Sequence, residues 1–112
     1  MRDFEKLVDR IFEKFDIDFN FTKHFRDRMS DSRNDPCISI QELSIFLRKI
    51  YNEQAKSLKN VKDSEAILKD IQKDLNIPIV IEYDKKNDEL DVTMKTIMRK
   101  KNFRSPNKVI RY

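Results

Sequence analysis

The chain of 112 residues contains no glycine, and it has only one cysteine and three prolines. Proteins use glycine for about 7% of their residues, so the tight turns here must rely on Asn, Asp or Pro. The absence of glycine also excludes the glycine-rich loops that bind nucleotide phosphates, namely the dinucleotide fingerprint and the P-loop. With Cys37 as its only cysteine, the chain forms neither an intrachain disulfide nor a thiolate metal site, which favours a reducing cytoplasm.

Long hydrophobic runs are missing as well. No apolar run approaches the roughly 20 residues of a membrane span, and the N-terminus lacks the basic and then apolar order of a secretory signal. We therefore predict a cytoplasmic protein without a membrane partner. Charged residues make up 39% of the chain, but the apolar residues recur at regular spacings, which indicates a folded chain. Its length fits a single domain covering residues 1–112.

Apolar residues at helical spacing predict four helices. Thr22 is a predicted N-cap, and Ser39 with Glu42 forms a capping box, so the second and third helices have defined starts. The fourth helix is predicted from Ile67, Leu68 and later apolar residues. The predicted ranges are about 3–15, 22–31, 39–53 and 64–75.

The apolar spacing changes from helical to alternating after the fourth predicted helix. Residues 77–83 predict a strand, residues 85–88 supply a hairpin turn, and residues 89–98 predict the returning strand. A basic loop at 100–107 leads to a last short strand at 108–112. The predicted fold class is α+β, with N-terminal helices packed on a small antiparallel C-terminal sheet.

Positive charge is concentrated at the C-terminal end of the chain. Residues 95–112 contain seven basic residues and no acidic one, whereas the other 94 residues carry 17 basic and 20 acidic groups. Lys and Arg neutralise phosphates, and an interleaved ring can stack on an unpaired base, so the segment favours single-stranded RNA. A solvated loop or an acidic protein partner would also explain the charge. The predicted RNA-binding residues are Lys100, Lys101, Phe103, Arg104, Lys108 and Arg111.

His24 is the only histidine, and it lies in the first turn of the second predicted helix, four residues before Arg28. A phosphate there would meet helix N–H groups and a guanidinium together. A single histidine more often has a structural or solvent-exposed role. The carboxylate pairs Asp16/Asp18 and Asp84/Asp88 lack the spacing of metal ligands, so we predict no metal and no cofactor.

The segment from His24 to Arg28, followed by Arg33 and then Ile38-Ser39, resembles the early-mRNA endoribonucleases of T-even phages. They belong to the RelE-like (barnase–colicin–RelE) class of small metal-independent ribonucleases, whose helices pack on an antiparallel sheet. The tail at 95–103 is similar to small proteins of tailed phages. The resemblance implies a phage-encoded protein in the host cytoplasm, although likeness of fold does not by itself imply function.

The resemblance implies cleavage of RNA in which the 2′-hydroxyl attacks the adjacent phosphate. His24 would be the acid or base, and Arg28, Lys95 and Arg99 would stabilise the phosphorane. Lys95 and Arg99 are four apart on the predicted strand, so they should share a face. The phage enzymes use two histidines and this chain has one, so the second role would fall to Lys, Arg or Tyr112.

Two alternatives remain beside the ribonuclease hypothesis. A non-catalytic module on the same scaffold would bind RNA or an acidic host protein through residues 95–111. A factor that contacts DNA is the other alternative, but no DNA-reading motif is recognisable in the sequence. The position of His24 separates the first alternative from an enzyme, because a catalytic imidazole has to open into a cleft beside the basic strand.

Overall fold

A computed structural model describes residues 1–61 and 64–112, and within them the chain forms an α+β fold of N-terminal helices and a six-stranded mixed sheet. A 3-10 turn, Glu13–Phe15, extends the first helix. The four helices are α1 Arg2–Phe12, α2 Lys23–Met29, α3 Ile40–Asn52 and α4 Lys56–Lys59. The six strands are β1 Ile17–Phe21, β2 Glu65–Asp70, β3 Leu75–Asp84, β4 Glu89–Met94, β5 Met98–Arg99 and β6 Lys108–Arg111.

The strand order in the sheet is β1-β4-β3-β2-β6, and β5 also pairs with β3. The predicted hairpin is confirmed, since β3 and β4 pair in antiparallel orientation. The sheet is nevertheless mixed and not purely antiparallel, because β1 runs parallel to β4 and β6 runs parallel to β2. The two edge strands come from the N-terminal and C-terminal parts of the chain, so both reach the sheet by long crossovers.

The core lies between the helices and one face of the sheet. Ile77, Ile79 and Ile81 alternate along β3 and belong to the same buried cluster as Phe12 of α1 and Phe46 of α3. The residues between them on β3 are half-buried or exposed from position 78 onward. This alternation is the pattern of a sheet that packs helices on one face.

The first three predicted helices are confirmed. The Thr22 hydroxyl accepts a hydrogen bond from the Phe25 N–H at 3.0 Å, and Ser39 with Glu42 forms the capping box. The stretch 54–61, predicted as a polar linker, contains the short helix α4 with Leu58 buried. None of the helices in the described part of the chain has the length and apolar character that crossing a bilayer requires.

The predicted fourth helix, residues 64–75, is wrong: β2 occupies residues 65–70, and a turn leads from it into β3. Ala66, Ile67 and Leu68 are all buried, and β2 lies inside the sheet between β3 and β6. A strand that is buried on both faces has consecutive apolar residues, and over a short run these look the same as one side of a helix. Ile71, predicted to face inward, is instead 56% exposed in the turn.

The predicted strand at 89–98 is interrupted by a bulge at residues 95–97. Ile79 pairs with Met94, but the next pair is Asn76 with Met98, so three residues on one strand oppose two on the other. One extra residue moves every later side chain to the opposite face. Arg99 therefore pairs with the core residue Leu75. The prediction that Lys95 and Arg99 share a face is wrong for this reason.

Candidate functional site

A basic cleft of about 330 Å³ opens where the parallel strands β1 and β4 end. Phe25 and Met29 anchor α2 in the core, so α2 presents His24 and Arg28, one turn apart, on its other side. Arg33 and Lys100 complete the charged lining from the loop after α2 and from the residue after β5. We call this opening, with its charged lining of His24, Arg28, Arg33 and Lys100, the basic cleft.

The side chains of the basic cleft are open to solvent in different degrees. His24 and Lys100 are exposed, the Arg33 side chain is 69% exposed, and Arg28 is half-buried. Among the described residues, no carboxylate lines the cleft. Asp31 lies beside it and accepts a hydrogen bond from the Arg33 N–H at 2.8 Å. That bond and the positive charges of Arg33, Arg28 and His24 lower the pKa of the Asp31 carboxyl, so the surroundings favour negative charge.

Asn34 holds the two walls of the cleft together. Its side-chain amide donates to the carbonyls of Arg28 at 2.7 Å and Ile97 at 3.4 Å. Its side-chain oxygen accepts from the Arg99 N–H at 2.9 Å, and the residue is only 3% exposed. Asn34 precedes Asp35-Pro36, and nothing in the sequence distinguishes a turn asparagine from one that bridges two segments.

Arg99 contributes to the wall of the cleft, but its guanidinium points into the protein. It donates to both carboxylate oxygens of Glu42, at 2.8 and 2.9 Å, and to the carbonyls of Pro36, Cys37 and Lys73. The side chain is 14% exposed. These hydrogen bonds lower the pKa of Glu42 and fix the loop before α3 against β5. Most donors of the Arg99 guanidinium are thus engaged within the protein, which does not favour its predicted role on a phosphate.

Lys95 and Tyr112 do not line the basic cleft. The Lys95 ammonium lies 3.5 Å from a carboxylate oxygen of Glu65, and both side chains are about half exposed. Tyr112 packs against Phe46, and its hydroxyl is hydrogen-bonded to Ser57. Burial raises the pKa of the Tyr112 phenol, which is unfavourable for proton transfer. Of the residues predicted to be catalytic, His24 and Arg28 are brought together, and Lys95 lies apart.

The predicted RNA-binding residues fall into two groups. Lys100 lines the cleft, and Lys101 and Arg104 follow it as exposed residues of the loop, with Phe103 half-buried between them. Lys108 and Arg111 are exposed on the edge strand β6. None of these five cations forms an ion pair within residues 1–61 and 64–112.

Asn76, missed by sequence analysis, fixes the start of the basic loop. It is fully buried, and its amide donates to the carbonyls of Met98 and Lys100. Its side-chain oxygen accepts from the Lys69 ammonium, which also donates to the Lys101 carbonyl. The backbone that carries Lys100 and Lys101 is thus held by hydrogen bonds from β2 and β3.

The opposite end of β1 and β4 has a cluster of carboxylates. Asp18 pairs in register with Asp91, and their oxygens lie with one of Glu89 within 4.8 Å of each other. A hydrogen bond with Asp9, burial, and the charges of Asp9, Asp91 and Glu89 raise the pKa of Asp18 from 3.8 to about 7. Such a group can share a proton or hold a cation. Sequence analysis misses it because a parallel pairing 73 residues apart leaves no local signal.

Comparisons with protein-family models, with curated proteins and with solved structures gave no match to this chain. The resemblance to phage ribonucleases therefore rests on the segment from His24 to Arg28 with Arg33, and it stays a prediction.

Proposed function

We propose that this protein binds single-stranded RNA through the basic cleft and cleaves it with His24 as a proton-transfer group. One observation carries the proposal. His24, Arg28, Arg33 and Lys100 come from three separate segments and converge on one opening that no described carboxylate lines. Folding a chain to bring cations together costs electrostatic energy, which a bound phosphate offsets.

A polynucleotide explains the surface beyond the cleft better than a small anion does. Lys101 and Arg104 continue the positive charge along the loop, and Lys108 and Arg111 extend it along β6. A series of exposed cations suits a phosphodiester backbone, because each contact releases condensed counterions. RNA is favoured over duplex DNA because the sequence contains no recognisable DNA-reading motif.

The chemistry proposed for His24 is internal phosphodiester transfer. The 2′-oxygen forms a bond to phosphorus and the bond from phosphorus to the 5′-oxygen breaks, which gives a 2′,3′-cyclic phosphate and a 5′-hydroxyl. The 2′-hydroxyl loses a proton and the 5′-oxygen gains one; His24 performs one of these transfers and solvent water the other. Arg28, Arg33 and Lys100 would balance the charge of the phosphorane.

Binding without cleavage is the second candidate function. It is favoured by the engagement of Arg99 with Glu42 and by the position of Lys95 outside the cleft. With Arg99 and Lys95 engaged elsewhere, the His24 imidazole is the one proton-transfer group in the cleft, whereas a paired acid and base would give faster catalysis. The alternative uses the same cleft and the same RNA backbone, so only the fate of the RNA separates the two.

The test incubates purified protein with end-labelled, mixed-sequence RNA in the presence of EDTA. We expect cleavage to 2′,3′-cyclic phosphate ends by the wild type and its loss in His24→Gln, with Lys23→Gln unchanged as the matched control on α2. Retarded but intact RNA would establish the binding module and refute the cleavage step. RNA that is neither cut nor retarded would refute both functions.

A positive result has to depend on the cleft. The double variant Arg28→Gln/Lys100→Gln should weaken RNA binding by at least about tenfold, since each lost phosphate contact removes charge-assisted hydrogen bonds. The control Lys85→Gln/Lys86→Gln removes the same charge in the exposed hairpin turn and should leave binding within about twofold. Equal losses of RNA affinity in both double variants would show that binding depends on the net charge of the protein and not on the basic cleft.

A further inference from the structure

We infer that the groove between α1 and α3 is a docking site for an acidic amphipathic helix of a partner protein. The groove measures about 390 Å³ and is separate from the basic cleft. Its apolar walls come from Phe4, Leu7 and Ile11 on α1 and from Leu47 and Tyr51 on α3. Neither the proposed RNA chemistry nor the packing of the core accounts for it.

The exposed apolar area on α1 is the first reason. Leu7 is 50% and Ile11 40% exposed, although Val8 and Phe12 beside them are buried in the core. Leu7 and Ile11 are one helical turn apart, so they line the same side of the groove. Soluble monomers seldom leave such a patch open, and patches with polar rims are typical of interaction sites.

The shape of the groove selects a helix. Phe4 to Ile11 spans about 10 Å along α1, or roughly two helical turns, and the buried Val8 and Phe12 contribute to its lining. A recess of this length takes the apolar side chains of a helix at positions i, i+4 and i+7. A flat lipid surface cannot enter a recess, whereas the ridge of a helix can.

The charge around the groove selects an acidic occupant. Arg48 lines it and is the only charged residue among the exposed side chains of α3. Arg10 on α1 and Lys14 in the 3-10 turn that extends it follow Leu7 and Ile11 by three residues, and both are exposed. The Lys14 ammonium lies 4.6 Å from the centre of the Tyr51 ring, at the end of the groove.

Acidic side chains are scarce in the same area. Arg10, Lys14 and Arg48 form no ion pair within the described residues. No carboxylate of the described residues lines the groove, and Asp9, the exposed carboxylate nearest in sequence to Leu7, accepts a hydrogen bond from the Phe19 N–H on β1. A helix with Glu or Asp beside its apolar stripe would meet three free cations there.

A second copy of this chain fits the groove less well. In a two-fold dimer the same patch meets itself, so Arg10 and Arg48 of one copy would face the cations of the other. Like charges brought together across an interface oppose association. The charge pattern therefore points to a different protein with acidic flanks.

The test uses fluorescein-labelled synthetic helices of about 15 residues, long enough to be partly helical. One peptide has a Leu stripe flanked by Glu, a second has the same stripe flanked by Lys, and a third is the scrambled Glu peptide. We expect anisotropy to show binding of the Glu peptide, with the other two at least about tenfold weaker. Equal binding of the Lys peptide, or no binding of the Glu peptide, would overturn the proposal.

Matched variants locate the site. Leu7→Gln should reduce binding at least about tenfold, whereas Ile45→Gln should not, since Ile45 is equally exposed, at 49%, but does not line the groove. Arg48→Glu should shift the preference towards the Lys peptide. RNA binding should be unchanged in Leu7→Gln, because the two sites are separate. Concentration-dependent dimerisation that Leu7→Gln abolishes, or capture of anionic vesicles in place of peptide, would overturn the assignment.

Discussion

The two ends of the paired strands β1 and β4 gather charge of opposite sign in different ways. At one end, Asp18 and Asp91 pair in register beside Glu89, and the pKa of Asp18 rises to about 7. At the other end, His24 and Lys100 stay exposed around an open cleft. Carboxylates pressed together retain a proton, whereas separated cations stay available to an anion.

The structural support of the two ends differs as well. The basic end is held by buried amides and by one paired guanidinium, those of Asn34, Asn76 and Arg99, which leave the cleft cations free. At the acidic end, Asp18, the carboxyl whose pKa is raised, lies on strand β1 itself. Cations stay free at the basic end because the polar groups that support them already have hydrogen-bond partners within the protein.

The largest effect is expected from breaking the support of the basic end. Arg99→Met leaves the half-buried Glu42 without its bidentate partner and removes a donor from three carbonyls, those of Pro36, Cys37 and Lys73. We expect the free energy of unfolding to fall by about 2–3 kcal/mol, measured by urea denaturation at neutral pH. Arg111→Met, on the exposed edge strand, should change it by less than about 0.5 kcal/mol. A loss of RNA binding by Arg99→Met without loss of stability would contradict this structural role.

The second effect tests the amide that joins the walls of the cleft. Asn34→Ala removes one donor to the Arg28 carbonyl and the acceptor of the Arg99 N–H, and we expect a loss of about 2 kcal/mol in the free energy of unfolding. Asn102→Ala, at an exposed asparagine of the basic loop, is the control and should change it by a few tenths. Unchanged stability in Asn34→Ala would mean that the walls associate without this residue.

The third prediction concerns the acidic end and depends on pH. The pKa of Asp18 is higher in the folded chain than its ordinary 3.8, so the folded state binds the proton more tightly, and stability falls as pH rises from about 4 to about 7. Asp18→Asn removes this penalty. We expect a gain of about 1 kcal/mol at pH 8, reduced from the full shift because Asp18 is partly exposed, and no gain at pH 4.

The control for Asp18 is Asp84→Asn, which should respond in the opposite sense. Hydrogen bonds from Asn87 lower the pKa of Asp84, so its contribution to stability is present at neutral pH and is lost as pH falls. Thermal unfolding of both variants between pH 4 and 8 measures the difference. Parallel pH profiles in the two variants would show that the acidic residues around Asp18 do not interact as their positions indicate.

The smallest effect is a change in salt dependence at the basic end. Lys100→Gln should reduce the slope of log K against log salt for single-stranded RNA by about 0.7, as expected for one lost phosphate contact. Lys86→Gln, in the hairpin turn, should leave the slope as it is. An unchanged slope in Lys100→Gln would place the RNA backbone outside the cleft.

The parts of the fold that sequence analysis predicted are those with local signals. Thr22 and Ser39 cap α2 and α3 as expected, and the spacing of His24 and Arg28 put both on one side of α2. The β3–β4 hairpin follows from alternation and turn residues. Each of these signals lies within a few residues of the element it defines.

The parts that sequence analysis missed depend on contacts between distant residues. β2 lies inside the sheet, beside β6 from about 40 residues later, and its consecutive buried residues Ile67 and Leu68 fit a helical spacing as well as a strand that is buried on both faces. The parallel register that presses Asp18 against Asp91 has no local signature either. Arg99 was assigned to a phosphate because its charge was visible and its partner Glu42, 57 residues away, was not.

The bulge at residues 95–97 assigns two similar side chains to different tasks. Lys95 before it reaches solvent and Glu65, while Arg99 after it turns inward to Glu42. Inserting one codon between them, with the bulge kept, would move Arg99 one register position along β3 and return it to the face of Lys95. One inserted residue would therefore change the Arg99 guanidinium from a structural partner of Glu42 into an exposed cation. Such a change would remove the stabilising ion pair of Arg99 with Glu42 and add one cation to the surface, without substituting any residue.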